Sequence, residues 1–399
     1  MNERSEQMNL EMERLEALFT EVFKKQADNI YFSPGRVNLI GEHTDYNGGH
    51  VLPCAITQGT IGLVKQRTDQ QVRCYSDNFS EVGIISFNLG DDLVFSAEDS
   101  WVNYVKGMVK YLKEAGHVIN QGFDLLVFGN IPNGAGLSSS ASLELLVGVL
   151  LEGEYSLLVD RLDLVRTGQR VENEFLGLHT GIMDQFAVGM GQLDHAIFLN
   201  VNSLDYKLVA ADFGDNVILI MNTNKRRELT TSKYNERRSE CEQALSELQA
   251  DLEITYLCDL SPEDLIVHKD LLSSELLWSR AKHVVFENSR TQRAVELLEN
   301  NQLEQFGTLM NDSHNSLRDD YDVTGVELDT LVEAALKQEG VLGARMTGAG
   351  MGGCAIALVN KDKVDDVIEA VGEEYRDRIG YDASFYIAEV GDGARKLSV

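Results

Sequence analysis

The segment GFDLLVFGNIPNGAGLSSSASLELLVGVLLEG, residues 122–153, changes its pattern twice. Phe123, Leu125 and Val127 alternate with their neighbours, as in a strand. Pro132, Asn133, Gly134 and Gly136 then read as a turn, and Ser138, Ser139 and Ser140 precede an apolar helix. A strand that ends in a glycine turn and opens a helix is a ready phosphate site. The first helical N–H groups lack internal partners, and the helix dipole favours an anion there. Gly134 and Gly136 let the backbone approach phosphate oxygens, and the serine hydroxyls add donors or a magnesium ligand. A helix cap accounts for one serine; three in succession exceed that need. No G-K-[ST] occurs in the chain, so this is not a Walker loop. A phosphoryl-transfer enzyme built here needs its positive charge from elsewhere, as Mg²⁺ and an arginine.

Outward from this segment the chain mixes strands and helices. An amphipathic helix opens it, with Leu15, Leu18, Phe19, Val22 and Phe23 on one face. VLPCAI and TIGLVKQR read as strands, and WVNYVKGMVKYLKEAG as a helix. After the serine-rich helix, LVRTGQRVENEFLG reads as another that stops near Gly177, and a further one starts near Ile182. From about residue 200 strand-like VILIMNT leads into the charged helix YNERRSECEQALSEL. GVELDTLVEAALKQEG places Leu328, Leu331, Val332, Ala335 and Leu336 on one stripe, and CAIALVN, a helix from Val364 and ASFYIAEV close the chain. Such mixed order predicts an α+β fold, with mixed sheets packed by helices. The 399 residues suggest about two domains. We expect these over residues 1–200 and 201–399, with the last strand free to return to the first.

The net charge of −29 opposes nucleic acid as a partner, since such binders need a basic face. It equally disfavours an anionic membrane surface. No apolar run is long enough to span a bilayer; LLVGVLL is far too short. The five cysteines are odd in number and scattered without a C-x-x-C pair, against a disulfide framework or structural zinc. These features, and a charged N-terminus without a signal-peptide core, lead us to expect a cytoplasmic protein.

Residues 35–49 read GRVNLIGEHTDYNGG. Glu42, His43 and Asp45 follow one another too closely to surround one metal ion. Carboxylates and imidazole also bind vicinal hydroxyls, and charged hydrogen bonds contribute about 1.5–3 kcal/mol each. A glycine-flanked loop bearing them is a credible sugar site. TGAGMGGC, residues 347–354, formally satisfies G-x-G-x-x-G but precedes a strand, where a dinucleotide fingerprint follows one. We expect it to be a tight loop supporting a neighbouring phosphate site.

Taken together these stretches are similar to a known family. GRVNLIGEHTDYNGG resembles the galactokinase signature. NIPNGAGLSSSASLEL and TGAGMGGC resemble two motifs of the wider superfamily that includes homoserine, mevalonate and phosphomevalonate kinases. GIMDQFA, KRRELTTSKYNERRSEC and MNDSHNSLRDDYDVT also look like galactokinase segments, in the family's order from residue 35 to past 350.

The resemblance implies a two-domain small-molecule kinase with its active site in the interdomain cleft. It would be a monomer acting on small molecules, using ATP and Mg²⁺ to phosphorylate galactose at its anomeric hydroxyl. By motif, Asp184 matches the catalytic base and Arg36 the charge stabiliser beside it. Glu42, His43, Thr44, Asp45, Gly181 and Tyr234 match sugar contacts. Gly134, Ala135, Gly136, Leu137, Ser138, Ser139 and Ser140 match the ATP loop, and Ser76 a nucleotide contact. Ser140 and Glu172 match magnesium ligands, with Glu174 a rival for the latter. Pairing with Arg36 and the helix start near Ile182 are expected to keep Asp184 ionised. Two other readings share the resemblance. One is a non-catalytic galactose sensor, in which the serine–alanine part of the phosphate loop is altered; GLSSSAS is unbroken here. The other is a kinase for N-acetylgalactosamine or arabinose.

Overall fold

The computed structural model describes residues 3–131, 136–178, 180–225 and 230–397. Helix α1 (Glu3–Phe23) buries Leu15, Phe19 and Phe23, the apolar face expected of it, against the outer side of the first sheet. Strands β1 (Asn29–Asn38), β2 (His50–Val51) and β3 (Pro53–Gln66) follow. VLPCAI and TIGLVKQR therefore belong largely to one long strand, β3, and not to two. Strands β4 (Gln71–Ser76) and β5 (Ile85–Asn88), helix α2 (Val102–Glu114) and strand β6 (Phe123–Gly129) complete this region. With β13 (Arg395–Lys396) from the far end of the sequence, the sheet runs β13-β1-β3-β6-β4-β5, with β4 and β6 parallel and every other pair antiparallel.

Helix α3 (Ser139–Tyr155) is buried almost all round from Ala141 to Leu151, as its uninterrupted apolar run requires. It packs on β1 and β3 and under α2 and α4 (Arg161–Arg170). Its serine-bearing end is thus fixed against the sheet. The helix expected over LVRTGQRVENEFLG is regular only to Arg170; residues Val171–Phe175 widen into a π-helical turn. Such turns interrupt α-helices frequently at functional sites. Helix α5 (Met183–Met190) and the hairpin β7 (His195–Asn200) and β8 (Tyr206–Ala210) come next, with β2 adding to the hairpin.

Strand β9 (Asn216–Asn222) begins a second sheet. It is followed by helices α6 (Thr230–Leu248), α7 (Pro262–Val267), α8 (Glu275–Glu299), α9 (Leu303–Asp319) and α10 (Gly325–Leu336). Then come β10 (Val341–Thr347), β11 (Cys354–Asn360), α11 (Val364–Ile379), β12 (Ser384–Ala388) and β13 (Arg395–Lys396). The second sheet is antiparallel, in the order β10-β11-β9-β12. On α10 the stripe of Leu328, Leu331, Val332 and Ala335 is buried, but Leu336 at the last turn is exposed, because the helix ends there. Strand β13 pairs with β1 in the first sheet. The two sheets share an apolar seam in which Val37, Leu39, Ile40 and Leu52 meet Ile218, Ile220 and Ile356.

Candidate active site

Strand β1 brings the sugar-signature segment to the phosphate loop by direct backbone contact. The Arg36 N–H donates to the Leu137 carbonyl at 3.2 Å. A Cβ on Gly35 would stand 2.8 Å from that carbonyl oxygen, so the approach requires glycine. The register of β1 on β3 shifts between Pro34 and Arg36, and the irregularity sits where the arginine is displayed.

Arg36 is buried, and its guanidinium is spent on two partners. Nε and Nη2 donate to Asp184 Oδ1 at 2.9 and 2.7 Å, and Nη2 also donates to Oδ2 at 2.7 Å. Nη1 donates to the Gly136 carbonyl at 2.7 Å. Asp184 stands in the first turn of α5, its side chain one-third exposed. Ser138 Oγ also donates to Asp184 Oδ2. Ser138 precedes α3 with a left-handed φ of +64° and makes no capping bond, so its hydroxyl turns to the carboxylate and not back to the helix. The N–H groups at the start of α3 stay without a side-chain cap, the condition in which a helix end accepts an anion. Gly134 and Ala135 lie outside the described residues.

An open cleft of about 700 Å³ adjoins this helix start. Ser139 and Ser140 line one side, and Ser76, at the end of β4, lines another. Phe79, Trp101 and Tyr104 supply apolar and aromatic walls. Sequence reasoning did not assign these three; Trp101 and Tyr104 gave only the signal of aromatics at the start of an amphipathic helix, and Phe79, just past β4, gave none. Glu172 sits buried in the π-helical turn, and Thr180 Oγ1 donates to its Oε2. Its rival Glu174 is exposed and paired with Arg170 at 2.7 Å. A further carboxyl, Glu144, went unrecognised. It is fully buried four residues past Ser140 and accepts from Gln185 Nε2 at 3.0 Å. Burial, and then the neighbouring Glu172, push it well above the usual carboxylate range.

The 41–49 loop faces the same carboxylate. Asp45 opens a single 3-10 turn, and a Cβ on Gly181 would lie 3.2 Å from Asp45 Oδ2, which brings these two predicted residues together. Burial, reinforced by Glu42 and opposed by its own N–H and that of Tyr46, pushes Asp45 up to about 6. Tyr234 is raised by burial first and then by Asp45, with Asp184 contributing, so it borders the same space. Its ring centroid lies 5.7 Å from that of His43 and 5.5 Å from that of Tyr46. His43 is buried in a left-handed conformation, φ +63°, and burial lowers it to about 4, so the ring is neutral. Nδ1 meets the Tyr46 hydroxyl at 2.9 Å, and among the described residues Nε2 has no partner in good hydrogen-bond geometry. Glu42 is turned partly towards the second sheet, where its Oε1 accepts from the Gly348 N–H at 2.8 Å. The Thr44 hydroxyl is taken up by the Gly41 and His50 carbonyls and stiffens the loop.

The third glycine run joins β10 to β11 as a hairpin loop, with φ near +80° at Gly348, Gly350 and Gly353. A Cβ on Gly348 would lie 3.8 Å from the Gly136 carbonyl, so the run borders the phosphate loop without opening a helix of its own.

Residues 17–66 match the galactokinase galactose-binding signature. Residues 103–192 match the N-terminal domain of the GHMP kinases, and residues 294–377 their C-terminal domain. The chain is 57% identical to a galactokinase of Ligilactobacillus salivarius over 95% of this chain and 98% of that one. It is 56% identical to a galactokinase of Enterococcus faecalis, again over 95% and 98%. A solved galactokinase of Lactococcus lactis, complexed with galactose, superposes with a TM-score of 0.91 at 52% identity, covering 97% of this chain and all of that one. The mevalonate kinase of Methanococcus jannaschii superposes at 0.64 with 20% identity, over 91% and 98%, a likeness of fold alone.

Proposed function

The chain belongs to the galactokinase family, and we propose how its residues divide the work of that reaction. The enzyme phosphorylates galactose at its anomeric hydroxyl with ATP as co-substrate, giving galactose 1-phosphate and ADP. The observation that carries our assignment is the pairing of Arg36 with Asp184 across 148 residues of sequence, beside the serine-bearing helix start.

In this reading galactose lies over Asp45, Gly181 and Tyr234, with His43 Nε2 and the free face of Glu42 meeting further hydroxyls. The anomeric hydroxyl is directed at Asp184. Arg36 and Ser138 fix both carboxylate oxygens, so the acceptor proton has one defined destination. Phosphoryl transfer passes through a loose transition state, and Asp184 takes the proton late. ATP lies along the cleft with its phosphates on residues 134–140. Its base is held among Phe79, Trp101 and Tyr104, and Ser76 is a nucleotide contact. The Ser140 hydroxyl and the Glu172 carboxylate are hard oxygen donors at the phosphate end. Together they suit Mg²⁺, which is usually held by one or two carboxylates plus water and substrate phosphates. Bound there, the ion would neutralise phosphate charge. On this reading the active site lies between a unit ending near residue 200, which carries the ATP cleft, and residues 201–399, with β13 returning to the first. The acidic charge opposes a nucleic-acid or anionic-membrane partner, the scattered thiols suit a cytoplasmic protein, and the monomer rests on the family resemblance.

The test is ADP release with galactose and ATP, followed by identification of the sugar phosphate. Turnover on galactose well above that on N-acetylgalactosamine or arabinose supports the assignment. Binding of galactose without ADP release would sink it in favour of a sensor.

A pH dependence follows from Asp45. Asp45 accepts sugar hydroxyls at both carboxylate oxygens, with full charge, only when ionised, and its titration lies at about 6. Galactose affinity is therefore full above that value and falls as pH drops through it, by about tenfold at one unit below. Measured as KM for galactose between pH 5 and 8, this limb is expected to vanish in Asp45→Asn.

A further inference from the structure

Residues 310–324, MNDSHNSLRDDYDVT, take no part in the proposed chemistry, yet three of their buried hydroxyls address the sugar loop. Ser313, on α9, donates to Glu287 Oε1 at 2.6 Å. The same oxygen accepts from the peptide N–H groups of Gly41 at 3.0 Å and Glu42 at 3.3 Å. Ser316, one turn on, lies 3.0 Å from His283 Nδ1, and His283 Nε2 lies 3.1 Å from the Glu42 carbonyl. A carbonyl can only accept, so Nε2 donates; burial keeps the ring neutral, so Nδ1 is left as an acceptor for the Ser316 hydroxyl, which also lies 3.1 Å from Asp320 Oδ2. Tyr321, just past the helix, meets the Tyr46 hydroxyl at 2.7 Å, and Tyr46 in turn meets His43 Nδ1 at 2.9 Å.

Helix α9 and the residue just past it thus reach the loop three times, twice through an intermediary on α8 and once directly, from Tyr321 to Tyr46. The contacts fall on the loop's peptide N–H groups, on a carbonyl and on a phenol that in turn meets the His43 imidazole. Glu287 and His283 are fully buried. Burying a carboxylate is costly unless its lone pairs are answered, and here the loop's own backbone supplies two of the donors. Arg290 Nε supplies another to Oε2 at 2.7 Å. The network is therefore satisfied only when the loop holds this shape.

We propose that Ser313, Ser316 and Tyr321 are positioning residues that hold the 41–46 loop in its sugar-binding form, setting galactose affinity and not the rate of phosphoryl transfer. The inference rests on the reading that this loop holds the sugar.

Ser313→Ala, Ser316→Ala and Tyr321→Phe each remove one hydroxyl with little change in packing. Each is expected to raise the KM for galactose, and its Kd by calorimetry without nucleotide, about three- to tenfold. The KM for ATP and kcat stay within about twofold, since the Arg36–Asp184 pair is untouched. A residue that merely supports the fold lowers the melting temperature or the active fraction and leaves the galactose KM alone. That pattern in all three variants overturns the proposal. His43→Ala and Asp45→Asn are measured alongside. If they weaken galactose binding and the hydroxyl variants do not, positioning fails alone; if they too leave it unchanged, the sugar-loop reading falls and takes the proposal with it.

Discussion

Asp184→Asn is expected to lower kcat by about 10²–10⁴-fold, with the KM values for galactose and ATP changed by no more than about threefold. The substitution keeps the shape of the side chain and an oxygen for Arg36. It removes the group proposed to take the acceptor proton. It also places an N–H where Arg36 Nη2 or Ser138 Oγ now donates, so one hydrogen bond is lost. Because the side chain is one-third exposed, water relieves much of that loss, and the melting temperature should move little. Steady-state kinetics with both substrates varied decide the matter. A kcat within about fivefold of the parent enzyme assigns proton removal to another group.

Arg36→Met is expected to cost about 10²–10³-fold in kcat. Methionine keeps the length and apolar stem of a buried side chain but abandons Asp184 and the Gly136 carbonyl together. Asp184 then faces the phosphates of ATP without the guanidinium between them in the charge balance, and the backbone at Gly136 loses its tie to β1. Arg36→Lys separates the two contributions. It keeps the charge but cannot reproduce the fork that engages both carboxylate oxygens, and about a tenfold loss is expected. Equal activity of the lysine and methionine variants would show that geometry alone matters, and full activity of either removes Arg36 from the reaction.

Much of this site was open to sequence reading because glycine and serine mark where backbone must approach a ligand. Residues 134–140 and 347–354 announce themselves in that way, and Arg36 and Asp184 were reached through motifs although 148 residues separate them. What a residue does with its side chain was less accessible. Ser138 reads as part of the phosphate loop, yet its left-handed backbone sends the hydroxyl to Asp184. Glu144 lies within the apolar run SLELL and is buried; nothing local reveals that α4 and α5 close over it. Trp101 and Tyr104 read as the start of an amphipathic helix. Their place at the cleft depends on β4 lying beside β6, a pairing between strands that are not neighbours in the chain. The two routes from α9 were hidden for the same reason, since both pass through residues of α8.

The apolar seam bears on how such enzymes diverge. Val37, Leu39 and Ile40 lie directly upstream of the residues proposed to meet galactose, and they pack on Ile218, Ile220 and Ile356 from the other sheet. A chimera that joins the front half of this enzyme to the back half of a distant cousin would carry mismatched shapes into that joint, and the misfit would be felt first at the sugar loop. Drift in substrate preference can therefore begin with a methyl group on the far side of the joint, well away from any atom that touches the sugar.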